Sequence, residues 1–240
     1  LVMNPTLNEE VIQQDLSEDL EGAESEWLGI FRKSLSTHLH PEVLDDAVVP
    51  KRRELEFQPN TLYSAFVDVS GGTRDSMTLA LTHMEPSSDG DVLVLDLVRE
   101  VVPDPKFDPA QVAKDFCKEL ARYHITEISG DRYAAQWCVS AFENEGVRYN
   151  PTPHSKSELY LLVEPLFNTG RVRLLDHPKM VAQFKMLERR TRQGGKDLVD
   201  APGNRPEDIA NAVAGALVMA NSSSIGRIKT YDWLRFARKE

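Results

Sequence analysis

The sequence predicts an α/β domain. Its mixed sheet has three antiparallel strands followed by alternating helices and strands, with flanking helices and a helical N-terminal extension. Three observations lead there. Residues 62–98 hold three segments rich in apolar residues, separated by short turns, as in an antiparallel meander. From Asp108 onward the apolar spacing becomes helical, with short strand-like segments between the helices. A last segment from Pro206 carries small residues at helical spacing, which suits close packing on a sheet.

Taken in order, residues 1–57 read as helical and acidic, with apolar residues at helical spacing over 8–20 and 22–39. Lys51-Arg52-Arg53 reads as a connector and Pro59-Asn60 as a turn, which sets the main domain at residues 58–221. Strands are expected over 62–69 (LYSAFVDV), 76–83 (SMTLALTH) and 92–98, with Ser70-Gly71-Gly72 and 86–90 as turns. A helix should open at Asp108-Pro109 and run to about Tyr123, with Val112, Phe116 and Leu120 on one face. Strand 125–129, helix 133–145 and strand 147–149 follow. Ser155-x-x-Glu158 is a capping box for the next helix. Residues 171–175 suggest a strand and 179–188 a helix. Residues 188–199, with Gln193-Gly194-Gly195 at the tip, suggest a hairpin. The closing helix has an inner stripe of Ile209, Ala212, Val213, Ala216, Leu217 and Ala220. Ser222-Ser223-Ser224 is expected to end the domain, leaving 222–240 as a basic tail with Trp233 and Phe236.

Composition narrows the class. Of 240 residues, 41% are hydrophobic and 28% charged, enough for a folded core. No apolar run reaches the roughly 18 residues of a membrane helix, so no membrane role is expected. There is no signal peptide, and the start at Leu1 suggests a fragment or a processed product. Cys117 and Cys138 form no CxxC pair and read as buried, reduced residues, as do Trp27 and Trp137 as core aromatics. The net charge of −10 is uneven: residues 1–57 hold 13 acids and 5 bases, the remainder 25 and 23. Between Arg171 and Lys196 eight Lys and Arg face only Asp176 and Glu188. That stretch is either a solvated helix face or a ridge for a phosphate backbone, and Arg189, Arg190, Arg192 and Lys196 are its candidate DNA contacts.

Three acids carry the chemistry. Asp68 lies in an otherwise apolar strand, where a carboxylate is costly without solvent, a metal or a donor. Asp131 ends EISGD in the same manner, and Asp208 falls in the first turn of the closing helix. In a meander-then-alternating topology the two strand ends lie side by side and the helix start leans toward them. Converging acids repel unless a cation sits among them, and all-oxygen ligands suit Mg²⁺ or Mn²⁺. Two such ions can clamp the attacking water and the leaving oxygen of a phosphodiester. Asp68 would bridge both, with Asp131 and Asp208 each helping to hold one. Each acid also has a structural alternative: Asp68 capping the Gly-Gly turn, Asp131 capping the next helix, Asp208 complementing a helix dipole. Glu207 and Asp200 are secondary candidates and Asp75 an outer-shell one. Lys156 is weighed between approaching a phosphate and being an exposed helix-start residue; His154 and His177 read as loop residues.

The order of elements resembles the RNase H-like fold. DVSGGTRDS, SGDRYAAQW, SKSELYLLVEPLFNTGRVRLL and KDLVDAPGNRPEDIANAVAGAL resemble the nuclease domain of the large terminase subunit of tailed bacteriophages, over roughly residues 62–221. Where that family often shows Asp-Asp, this chain has Glu207-Asp208. Residues 1–57 resemble the segment after the family's ATPase domain, and no GxxxxGK[ST] loop is present. The resemblance implies an endonuclease with Mg²⁺ or Mn²⁺ that cuts concatemeric double-stranded DNA in the host bacterial cytoplasm. It also implies the portal, the small terminase subunit and the procapsid as partners. Two rival readings remain at this point. One is a docking module without catalysis, suggested by the basic tail. The other is a sugar-kinase-like ATPase, suggested by Asp-x-Ser-Gly-Gly, although the chain is short for its second lobe.

Overall fold

The computed structural model describes residues 9–18, 36–69, 76–88, 90–103, 108–132, 136–191 and 197–237. In chain order the elements are α1 (Glu9–Glu18), β1 (Ser36–Thr37), α2 (Pro41–Ala47), β2 (Tyr63–Asp68), β3 (Met77–Glu85) and β4 (Val92–Val101). Then come α3 (Pro109–Arg122), β5 (Glu127–Gly130), α4 (Gln136–Asn144), β6 (Arg148–Pro151), α5 (Lys156–Asn168) and β7 (Val172–Arg173). The chain closes with α6 (Pro178–Met186), β8 (Glu188–Thr191), β9 (Asp197–Asp200) and α7 (Asp208–Ala237).

The main sheet has the order β6-β5-β2-β3-β4-β7. β2, β3 and β4 form the expected antiparallel meander, while β5 pairs parallel to β2 and β7 parallel to β4. Alternation along β2 explains its place at the centre. Ala65 and Val67 face a core shared with Val112, Phe116 and Leu120 of α3 and Phe142 of α4. Phe66 faces the opposite core, filled by α5, α6 and α7. The small residues of α7 let it lie directly on β2 and β3. A Cβ at Gly215 would run into the Phe66 ring, and the Thr82 hydroxyl donates to the Ala216 carbonyl at 2.9 Å. The capping box at Ser155 and Glu158 forms as expected, and the Asp108 side chain accepts from the Ala110 N–H at 3.0 Å.

Several expectations are corrected. Of the helix expected over 22–39, residues 22–35 lie outside the described residues and 36–39 are not helical. Ser36–Thr37 is an edge strand on β8, and Leu39 is buried in the core. Residues 36–57 pack against the main sheet: Val48 bridges to Leu174, and the Leu55 N–H donates to the Asp96 carbonyl at 2.9 Å. α7 continues through Ser222-Ser223-Ser224 to Ala237, so residues 222–237 are helical. Trp137 is 39% exposed rather than core. Cys117 and Cys138 are buried and unpaired, as expected. Trp27 lies outside the described residues. No helix among the described residues is long and apolar enough to cross a membrane.

Candidate metal site

The register of the sheet brings the first two acids together. Phe66 pairs with Ser129 and Val67 with Gly130, so Asp68 and Asp131 are the next residues on adjacent parallel strands. Both stand at the carboxyl end of the sheet, where ligands of open α/β sheets gather. Gly130 permits this approach, since a Cβ there would overlap the Tyr149 hydroxyl and come within 2.8 Å of the Val67 carbonyl. The Tyr149 hydroxyl donates to the Asp131 carbonyl at 2.9 Å and fixes that turn.

Asp68 follows Phe66 by two positions and therefore emerges on the α7 side of the sheet. There Asn211 donates its side-chain amide to Asp68 Oδ2 at 2.8 Å. Asp208 precedes Asn211 by three residues and shares its helix face. Burial raises the Asp68 carboxyl to about 7. The Asn211 hydrogen bond opposes that rise, the negative charge of Asp208 adds to it, Lys156 opposes it and Asp131 adds again. Asp208 and Asp131 therefore both lie within electrostatic reach of Asp68. Among the described residues, no three His, Cys, Asp or Glu side chains already stand at metal-holding distances. The donor set nonetheless fits a hard divalent cation. It is all oxygen, and burial, with Asp208 and Asp131 adding to it, raises its central carboxyl to about 7.

Lys156 is an exposed helix-start residue, as expected, and its ammonium also reaches the acids beside this site. It opens α5 and bonds the Glu207 carboxylate, with Asp200 Oδ1 3.3 Å from its Nζ. Glu207 is buried, and burial together with its hydrogen bond to Asp200 raises its carboxyl against the pull of Lys156. Asp200 stays below the usual range although burial works the other way, because Glu207 and Lys156 both hydrogen-bond it. Asn211 was missed from sequence. Its signal was the three-residue spacing from Asp208 on one helix face. Asp75, Arg192 and Lys196 lie outside the described residues.

The basic stretch needs correction. The hairpin forms, with Glu188 opposite Asp200 and Thr191 opposite Asp197. Arg189, however, is buried. Its guanidinium binds both oxygens of Glu164 at 3.1 Å and Asp197 at 2.6 Å, so it braces the fold and is not presented to DNA. Arg190 is exposed and pairs with Glu188 at 2.8 Å. Lys179 pairs with Glu100, and Lys185 with Asp45. Lys179, Lys185 and Arg189 of the apparent ridge are thus matched by acids from distant segments, while Arg171 and Arg173 bond backbone carbonyls. His177 caps α6 by accepting from the Met180 N–H at 3.1 Å.

No protein-family model matches the sequence, and no curated protein matches it. Solved structures do. The large terminase nuclease from thermophilic phage G20c superposes with a TM-score of 0.62 at 13% identity, covering 75% of this chain and 96% of that one. The same G20c nuclease with bound magnesium gives 0.60 at 13% identity, covering 73% and 94%. The large terminase of the HK97 bacteriophage gives 0.58 at 15% identity, covering 88% of this chain and 51% of that one. The chain thus spans about half the length of the HK97 protein. With its central meander, its parallel flanking strands and its closing helix, the chain has the RNase H-like fold of the phage large-terminase nuclease domains.

Proposed function

We propose that the chain is a divalent-metal-dependent endonuclease that cuts concatemeric double-stranded DNA during phage genome packaging. The observation that carries this reading is the arrangement of Asp68, Asp131 and Asp208 about one sheet edge, with Asp68 raised to about 7 by burial and by its acidic neighbours. A purely structural carboxylate of this depth would be expected to have a cation beside it. In this reading Asp68, Asp131 and Asp208 would hold the divalent cation, Mg²⁺ or Mn²⁺, through their carboxylate oxygens. When bound, such ions supply Lewis acidity toward a phosphodiester and make water acidic enough to attack near neutral pH.

The chain's own residues do the rest. Asp68 gives up its proton to become a ligand, and the Asn211 amide holds Oδ2 so that the carboxylate keeps one orientation. The ring of Phe66 and the small residues of α7 keep the floor of the site dry and rigid. Arg190, Arg192 and Lys196, at and after the end of β8 in sequence, are the proposed DNA contacts, now without Arg189. The portal, the small terminase subunit and the procapsid are the proposed partners, and the host cytoplasm the proposed location.

The test is plasmid cleavage by the purified chain with Mn²⁺ or Mg²⁺. Nicking or linearisation is expected, and Asp68→Asn should reduce it by about 10³-fold, the equivalent of several kcal/mol of lost metal stabilisation. Its melting temperature should stay at or above the parent's. Undiminished cleavage by Asp68→Asn would remove the assignment.

A further inference from the structure

The two acids at the start of α7 have different surroundings. Glu207 is 6% exposed. Its carboxylate receives donors from two other segments: Lys156 Nζ and the Tyr160 hydroxyl (3.3 Å) on α5, and the Ala201 N–H (3.1 Å) just after β9. Its backbone carbonyl accepts from the Asn211 N–H at 2.9 Å and so closes the first turn of α7. Asp200, the last residue of β9, has Oδ1 3.3 Å from Lys156 Nζ and shares that ammonium with Glu207. Asp208, next in sequence, instead shares the face of Asn211 and acts on Asp68.

We propose that Glu207, with Lys156 and Asp200, is a positioning clamp that sets the start of α7 so that Asp208 and Asn211 meet Asp68, and that Glu207 is not itself a metal ligand. This rests on the nuclease reading above. A carboxylate offers about four acceptor positions. In Glu207 three are taken by donors fixed to the scaffold, one of them an ammonium. A metal ion there would have to displace Lys156 and leave the Tyr160 hydroxyl and the Ala201 N–H short of an acceptor. Lys156 is shared between Asp200 and Glu207, so its ammonium holds both acids to the start of α5. Because the clamp ties α5, β9 and α7 to one carboxylate, loosening it should tilt the helix start rather than empty the site. A displacement of about 1 Å is enough to cost catalysis without losing binding.

The experiment measures Mn²⁺ binding by electron paramagnetic resonance, together with kcat and KM for plasmid cleavage. It uses the 240-residue chain and its Glu207→Gln, Asp208→Asn, Lys156→Met and Glu207→Gln/Lys156→Met forms. Glu207→Gln should bind Mn²⁺ within about threefold of the parent, keep KM for DNA, and lose about tenfold in kcat. Lys156→Met should reproduce that loss, and the double variant should be no worse than either single one, since all three break the same clamp. Asp208→Asn should weaken Mn²⁺ by more than about tenfold. Loss of Mn²⁺ in Glu207→Gln as deep as in Asp208→Asn, or additive losses in the double variant, would overturn the clamp. Should Glu207→Gln fail to fold, Lys156→Met against Asp208→Asn decides by the same criteria. Parent-like Mn²⁺ binding by Asp208→Asn and Asp68→Asn would instead refute the nuclease reading itself.

Discussion

Two charged clusters occupy this small body, and they are built in opposite ways. In the first, Arg189 sits between Glu164 and Asp197, with no side chain more than 10% exposed and bonds of 2.6–3.1 Å. In the second, Asp68, Asp131 and Asp208 share one sheet edge, and the ammonium of Lys156 nearby is already bonded to Glu207 and Asp200. In the first cluster one guanidinium is bonded to both acids and ties the hairpin to the rest of the fold. In the second, burial and the neighbouring Asp208 and Asp131 raise the Asp68 carboxyl against the pull of Asn211 and Lys156. The contrast is between acids bonded directly to a buried cation and an acid held among other acids, and each side of it makes measurable demands.

The largest expected effect belongs to the first cluster. Arg189→Met leaves two buried carboxylates facing each other and should cost about 3–5 kcal/mol. For a chain of this size that lowers the melting temperature by about 10 °C, readable by calorimetry. A drop under about 2 °C would remove the structural role given to Arg189.

Next comes the pH dependence of the second cluster. Asp68 must be deprotonated to take a cation, and its carboxyl lies at about 7. Mn²⁺ affinity should therefore rise about tenfold per pH unit below 7 and level off above it, as one proton is released on binding. A titration flat between about pH 5.5 and 7 would contradict this.

The same shift has a signed consequence for the metal-free fold. A carboxyl raised on folding binds its proton more tightly in the native state than in the unfolded one. Native stability therefore falls as pH climbs from about 4 to 7, and the loss is complete above 7. Asp68→Asn should melt a few degrees higher than the parent at about pH 8 without metal, with the gain shrinking toward about pH 5. A gain that is larger at the acidic end would reverse the sign and refute the assignment. The smallest effect is at the surface. Lys179→Ala removes an exposed partner of Glu100 and should change stability by less than about 1 kcal/mol.

How much of this was legible in the sequence follows from the range of the interactions involved. Asp68 could be found because a lone acid in LYSAFVDV breaks a two-residue alternation that is otherwise apolar. The Ser155–Glu158 cap spans three residues and was visible as a motif. Lys156 was not, because its partners Asp200 and Glu207 lie 44 and 51 residues away and meet it only through the packing of α5 on α7. Arg189 was misread for the same reason: a run of basic residues carries no sign that Glu164 waits on another helix. The two-residue strand β1 has no periodicity of its own and exists because β8 offers it an edge. In the third acidic motif, Glu207 and Asp208 look equivalent in sequence, and only the donors around Glu207 tell them apart.

The most direct measurement is the anomalous diffraction of a crystal soaked in Mn²⁺. The account predicts density bound by the carboxylates of Asp68, Asp131 and Asp208, at the roughly 2.0–2.2 Å expected of hard-cation oxygen ligands, with Glu207 still bonded to Lys156. Mn²⁺ bound elsewhere, or at this edge without Asp68, would contradict it.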